Sequence, residues 1–279
     1  MNPEHTPAAL QRQVSGSSFY AGMRVLPKAE REAMYAVYAF CRAVDDIADE
    51  GDAGADERRA ELEVWRADIA ALYHGGDPGR AAFLAEAVRR FDLDEADFGA
   101  VIDGMLMDVE GPVRRPDFNT LDLYCDRVAS AVGRLSVKIF GMDPDEGRTL
   151  AHHLGRALQF TNILRDIDED AEIGRLYLAD GHLTAAGIGT SDPAAVARHA
   201  NIDVACRPLA TLAHGHFAAA KAILSRKPKG RLLAPRLMAA VYEPILARME
   251  TAGWAPPRER IRVNKFALIL TVLRLSLTS

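Results

Sequence analysis

The chain has 279 residues, 49% of them hydrophobic and 26% charged, with a formal net charge of −5. That balance excludes a disordered or fibrous chain, supplies enough apolar material for a large core, and gives no global electrostatic pull toward nucleic acid. Cys41, Cys125 and Cys206 lie far apart and form no CxxC pair, a pattern that fits reduced thiols in a cytoplasmic compartment.

The opening MNPEHTPAALQRQ is polar and lacks the apolar run of a signal peptide. From there the periodicity is helical nearly throughout. Pro27 suits the first turn of a helix, and Met34, Val37, Tyr38, Cys41, Val44 and Ala48 recur at helical spacing after it. A polar, glycine-containing loop follows over 50–55. Helical segments are predicted at about 56–74, 78–91, 94–109, 119–140, 144–172, 193–226 and 231–252, with one more from about 257. Gly75-Gly76, Gly111-Pro112, Gly141 and Gly181 read as breaks, and Pro208 is expected to kink or split its helix. The apolar run Phe266–Leu273 is too short to span a bilayer. It reads as a buried final helix or, alternatively, a membrane-surface one. No strand pattern, repeat or linker composition stands out, so the expected architecture is one all-α domain over 1–279.

Two acidic clusters carry the chemistry. In Arg42-Ala43-Val44-Asp45-Asp46-Ile47-Ala48-Asp49, Asp45 and Asp49 are four apart and share a helix face. In Gln159-Phe160-Thr161-Asn162-Ile163-Leu164-Arg165-Asp166-Ile167-Asp168-Glu169-Asp170, the residues Asn162, Asp166 and Asp170 form a stripe at four-residue steps. Like charges at this spacing destabilise an isolated helix by roughly 0.2–0.5 kcal/mol per pair. Either cluster alone could be a solvated acidic helix end. A matched pair on two apolar helices instead suits Mg²⁺, which takes oxygen ligands and is held by a few carboxylates plus substrate phosphates. Such ions would act as Lewis acids on a departing diphosphate.

The motifs SSFY (17–20), YAVYAFCRAVDDIADE (35–50), YCDRVASAVG (124–133) and LQFTNILRDIDEDAEIGRLYL (158–178) occur in this order, and together they resemble the squalene/phytoene synthase family over nearly the whole chain. The opening SGSSFYAGMRVLP most resembles the bacterial branch that makes presqualene diphosphate for hopanoids. The resemblance implies an all-α class I terpenoid-synthase bundle around a central cavity. It also implies Mg²⁺-dependent head-to-head condensation of two prenyl diphosphates, here two farnesyl diphosphates, to presqualene diphosphate.

On this resemblance Asp45, Asp49, Asp166 and Asp170 match the two metal-binding motifs. Arg42, Asn162 and Arg165 match polar positions around the diphosphate. Tyr124, Gln159 and Tyr242 match polar positions of the central cavity. Ser15 and Ser17 stand where some relatives carry His and Lys. Arg262 and Lys265 are candidates for a basic lid. Phe19 and Tyr20 are either core residues or aromatic faces for a carbocation. Ala129, Ser130, Ala131 and Gly133 allow close helix approach or leave room for an apolar chain. The histidines show no metal spacing on one face, and His152-His153 and His214/His216 read as surface or packing residues.

The proton acceptor is either the acceptor's diphosphate or a tyrosine such as Tyr124 or Tyr242. Gly187-Ile188-Gly189 lacks a third glycine and a preceding strand, so it is not a dinucleotide fingerprint. The chain also ends soon after Arg274, where squalene synthases run longer. The reaction is therefore expected to stop at presqualene diphosphate, with downstream enzymes of a hopanoid or squalene pathway consuming it. The alternatives are a phytoene or dehydrosqualene synthase, more distantly a terpene cyclase, and a non-catalytic scaffold relative. The greasy substrate and product are compatible with transient contact with the inner face of a membrane, although no anchor motif is present.

Overall fold

The computed structural model describes residues 23–24, 26–49, 53–111 and 113–261. Twelve α-helical segments order them: α1 (Lys28–Asp49), α2 (Ala55–His74), α3 (Ala85–Phe91), α4 (Glu95–Glu110), α5 (Phe118–Cys125), α6 (Ala131–Ile139), α7 (Pro144–Arg165), α8 (Ile167–Glu172), α9 (Asp180–Ala185), α10 (Pro193–Ala197), α11 (Ile202–Ser225) and α12 (Leu233–Ala252). A 3₁₀ turn (Gly79–Leu84) precedes α3, and a π-helical turn (Asp126–Ser130) joins α5 to α6. Among the described residues the β-structure is a single isolated bridge, Arg114 to Leu176.

The core is built around α7. Asp143 caps its N-terminus by accepting from the Asp145 N–H, and Pro144 fills the first turn. Leu150, Leu154, Leu158, Phe160, Ile163 and Leu164 are all buried. Apolar positions nearly all round the helix fit its packing against α6, the π turn, α11 and α12. Helix α1 is held on the other side by aromatic contacts. Phe40 meets Trp65 of α2 edge-on at 5.6 Å and Phe98 of α4 at 5.2 Å. These contacts fix the turn of α1 that precedes the acids of the first cluster.

Several predicted boundaries shift, each for a local reason. Helix α1 begins just after Pro27. The 78–91 segment opens as a 3₁₀ turn, and the 119–140 segment carries the π turn in its middle. The 144–172 segment breaks at Asp166, which leaves helical geometry at φ −105° and ψ 21°. The 193–226 segment divides at 198–201 rather than at Pro208, which sits inside α11. Pro208 and Val204 are both exposed, so water can satisfy the Val204 carbonyl that the proline leaves without a donor. Gly181 lies within α9 instead of ending a helix. Residues 257–261 are not helical, and the rest of that predicted segment, including Phe266–Leu273, falls outside the described residues. No helix among the described residues is long and apolar enough to cross a membrane. All three cysteines are unpaired.

The small residues after the π turn serve close packing and cavity space together. Ser130 and Ala131 are fully buried, whereas Ala129 and Gly133 line the central cavity. A Cβ on Gly155 of α7 would stand 2.8 Å from the Ser130 Cα and 2.9 Å from its backbone nitrogen. Gly155→Ala should therefore push α7 from the π turn and cost about 1–3 kcal/mol. Thermal unfolding checks this, and an unchanged midpoint would show that the contact is not tight.

Candidate active site

Helix α1 presents one face to a central cavity of about 390 Å³: Met34, Val37, Tyr38, Cys41 and Asp45 recur at helical spacing along its wall. Helix α7 supplies Leu154, Gly155, Leu158, Gln159 and Asn162 opposite, and Tyr124, Val128 and Met238 complete much of the apolar lining. The polar groups gather at one end, where both acidic clusters meet.

Arg175 joins the clusters. Its guanidinium pairs with Asp49 at 2.6 Å and donates to the Ala48 carbonyl at 3.2 Å. It lies 3.7 Å from Asp108 of α4. Its charge also lowers the proton affinity of Asp45 and Asp170. Asp108 is buried, and it accepts from the hydroxyls of Tyr177 at 2.8 Å and Tyr124 at 3.0 Å. The two tyrosine rings stack at 4.8 Å. Burial is the main cause that holds both phenols well above their usual value, so they stay neutral.

The second cluster is bent, and the bend has an identifiable cause. On a regular helix, residues i and i+1 do not face each other. The break lets Arg165 grip its neighbour Asp166 through Nε at 2.7 Å and Nη2 at 2.5 Å. Arg260 adds a contact to Asp166 at 2.8 Å and another to Glu169 at 3.2 Å, while Arg258 pairs with Asp168. The indole of Trp254 donates to the Leu164 carbonyl at 2.9 Å, satisfying an acceptor at the end of α7. The segment 253–261 thus straps the break.

The predicted site residues divide as follows. Asp45, Arg42, Gln159, Asn162 and Tyr124 line the cavity, and Asp49 and Asp170 flank Arg175 beside its polar end. Arg42 pairs with Asp45 at 3.1 Å and with Asp46 at 2.7 Å. Tyr242 was expected in the cavity but is not among the described lining residues. It is buried in α12 and hydrogen-bonds Arg165, because the bend turns that guanidinium toward α12. Ser15, Ser17, Phe19, Tyr20, Arg262 and Lys265 lie outside the described residues.

Asp108, Arg175, Tyr177, Arg258 and Arg260 complete the polar end without having been singled out from sequence. A signal existed for the first three. Asp108 is an acid on the buried face of α4 beside Val101 and Met105, and Arg175 and Tyr177 fall within the GRLYL segment.

The donor set suits a hard divalent cation. All candidate ligands are oxygens, and the Asn162 Oδ1 is buried without a hydrogen-bond partner. The amide nitrogen of Asn162 reaches only the Gln159 Oε1, at 3.5 Å. Burial, then the neighbouring Asp49, pushes Asp45 up to about 7. Burial, then Asp166, pushes Asp170 up to about 8. Carboxyls raised this far are desolvated and stand beside other carboxylates.

A family model for squalene/phytoene synthase matches residues 12–267. The chain belongs to the squalene/phytoene synthase family. It is 60% identical over 272 residues to a presqualene diphosphate synthase of Zymomonas mobilis, covering 96% of this chain and 93% of that one. It is 53% identical to a presqualene diphosphate synthase of Rhodopseudomonas palustris, covering 96% of each. Among solved structures, a dehydrosqualene synthase crystallised with ligand superposes with a TM-score of 0.80 at 23% identity, over 98% of this chain and 95% of that one. The shared fold is the all-α bundle of class I terpenoid synthases.

The raised carboxyls make stability depend on pH in a defined direction. Asp45 and Asp170 bind their protons more tightly in the folded chain than in the unfolded one, where the value is 3.8. The penalty for charging them is absent below about pH 4 and complete above about pH 8. Metal-free protein should therefore lose stability as pH rises across this window. Denaturant unfolding at several pH values checks it. Asp45→Asn and Asp170→Asn should each flatten the dependence, and an unchanged slope in both would contradict the assignment.

Proposed function

We propose that this chain condenses two farnesyl diphosphates head to head into presqualene diphosphate, with release of one diphosphate. The observation that carries the reading is an oxygen-rich end, bearing both acidic clusters, on an otherwise apolar cavity. That division matches a substrate with an anionic head and a hydrocarbon tail. The choice of product follows the two relatives named presqualene diphosphate synthase, which match over almost their full length.

Asp45, Asp49 and Asp170, with the Asn162 Oδ1, are the groups that would hold Mg²⁺. When bound, Mg²⁺ neutralises diphosphate charge as the allylic C–O bond of the donor breaks. Asp166, gripped by Arg165 and Arg260, and Asp49, paired with Arg175, are available only by sharing their oxygens with those arginines.

The remaining work falls to the cavity walls. Val37, Val101, Met105, Val128 and Leu154 exclude water that would quench the allylic cation. The Tyr124 ring lines the cavity and presents a negative face to that cation. The 2,3 double bond of the acceptor attacks the cation, and loss of one proton closes the cyclopropane. Tyr124 remains a neutral phenol whose hydroxyl donates to Asp108, which leaves the acceptor's diphosphate as the better base.

Two experiments test the reading. Farnesyl diphosphate with Mg²⁺ should give presqualene diphosphate by mass spectrometry, EDTA should abolish the reaction, and added NADPH should not yield squalene. Squalene with NADPH, or dehydrosqualene without it, would reassign the product. Asp45→Asn and Asp166→Asn should each lower turnover by on the order of 100-fold with unchanged circular dichroism. Wild-type rates in both would remove these residues from the mechanism.

A further inference from the structure

Helices α7 and α11 bring three histidines together on a face away from both acidic clusters. The Nδ1 of His153 lies 3.0 Å from the Nδ1 of His216, and each of His152, His153 and His216 offers a ring nitrogen within 4.8 Å of the others. His153 is about 20 Å along α7 from Asp166, at 1.5 Å per residue. The arrangement was invisible in sequence because His153 and His216 are 63 residues apart.

We propose that His152, His153 and His216 form a second metal site, for a borderline divalent ion of the Zn²⁺ or Cu²⁺ class, distinct from the carboxylate-rich end of the cavity. Two bonds of about 2.05 Å across a 3.0 Å nitrogen separation subtend roughly 95°, between octahedral and tetrahedral values. His153 and His216 are therefore already spaced as neighbouring ligands. His152 is exposed, and its ring can rotate to close the third position at little cost. Its exposure also provides the route of entry and leaves a coordination position for water.

The protonation state suits ligation. Burial pushes His216 down to about 4 and lowers His152 and His153 as well, so all three rings are neutral near pH 7. One of the two facing Nδ1 atoms carries the proton of their hydrogen bond, and ligation shifts that ring's proton to its Nε2. Arg156 lies near the rings and opposes a second cation. It is itself neutralised by a two-pronged contact with Asp122, at 2.6 and 2.8 Å, and by Asp126 at 3.2 Å. Those two carboxylates offset Arg156, although Asp126 is shared with Arg134. Imidazole ligands select Zn²⁺ or Cu²⁺ over Mg²⁺, so the two sites discriminate by donor chemistry. An ion here would clamp α11 to the helix that leads into the second acidic cluster.

Cu²⁺ is the probe. The full chain, without a histidine tag, is dialysed against one equivalent of Cu²⁺ in excess Mg²⁺, and its bound copper and EPR spectrum are recorded. The expected result is one retained copper per chain with nitrogen superhyperfine splitting. His152→Asn, at an exposed ring that is not needed for packing, should weaken binding at least tenfold. His216→Gln should abolish it. His214→Gln, which removes a ring paired with Glu250, should leave it unchanged. No retained copper, or copper bound equally well by His152→Asn and His216→Gln, would overturn the proposal.

Discussion

Like-charged carboxylates from three helices crowd one end of an apolar cavity, and Arg175 stands among them. Its guanidinium is nearly buried and is shared between Asp49 and the fully desolvated Asp108. Withdrawing one partner from such a group leaves a buried charge uncompensated, at a cost of about 3–5 kcal/mol. Arg175 follows α8, Asp49 ends α1 and Asp108 lies in the last turns of α4, so this one cation pins three helix ends. The position of each cluster relative to the other depends on that contact more than on the helices that carry them.

The apolar half of the cavity depends on a different constraint. α7 approaches the π turn so closely at Gly155 that only glycine fits without displacement. A π turn inserts an extra residue into the helical path and turns the side chains after it. Here it leaves Val128, Ala129, Val132 and Gly133 on the cavity wall while Ser130 packs against α7. Arg134 and Arg156 brace the turn from both sides through Asp126. The tight contact and the open wall thus come from the same five residues.

Local patterns made much of this readable in the sequence. The helices that bear Asp45, Asp49, Asn162 and Asp166 follow from 3.6-residue periodicity, and the acidic pairs follow from i,i+4 spacing. What escaped depends on contacts between distant segments. Asp108 pairs with a tyrosine 69 residues later, Arg258 and Arg260 meet acids more than 80 residues earlier, and His153 meets His216 across two helices. The break at Asp166 escaped for another reason. The backbone bonds Asp166 N–H to Asn162 C=O and Asp170 N–H to Asp166 C=O persist at 2.9 and 2.8 Å, so the four-residue rhythm continues through the bend.

That bend gives the two clusters a matching division of labour. In each, one carboxylate is strongly held by arginine: Asp49 by Arg175, and Asp166 by Arg165 and Arg260. In each, the other is raised by burial and by its own partner: Asp45 to about 7 and Asp170 to about 8. The held members are over-determined by geometry and fix where the crowded members stand. The crowded members are where a further positive charge lowers the free energy most, since fewer of their interactions are already satisfied by the chain. A continuous helix would have turned Arg165 away from Asp166 and left two crowded carboxylates on one side. Breaking α7 there converts a repulsive stripe into one anchored and one crowded carboxylate, while on α1 the crowded Asp45 keeps its contact to Arg42 at 3.1 Å.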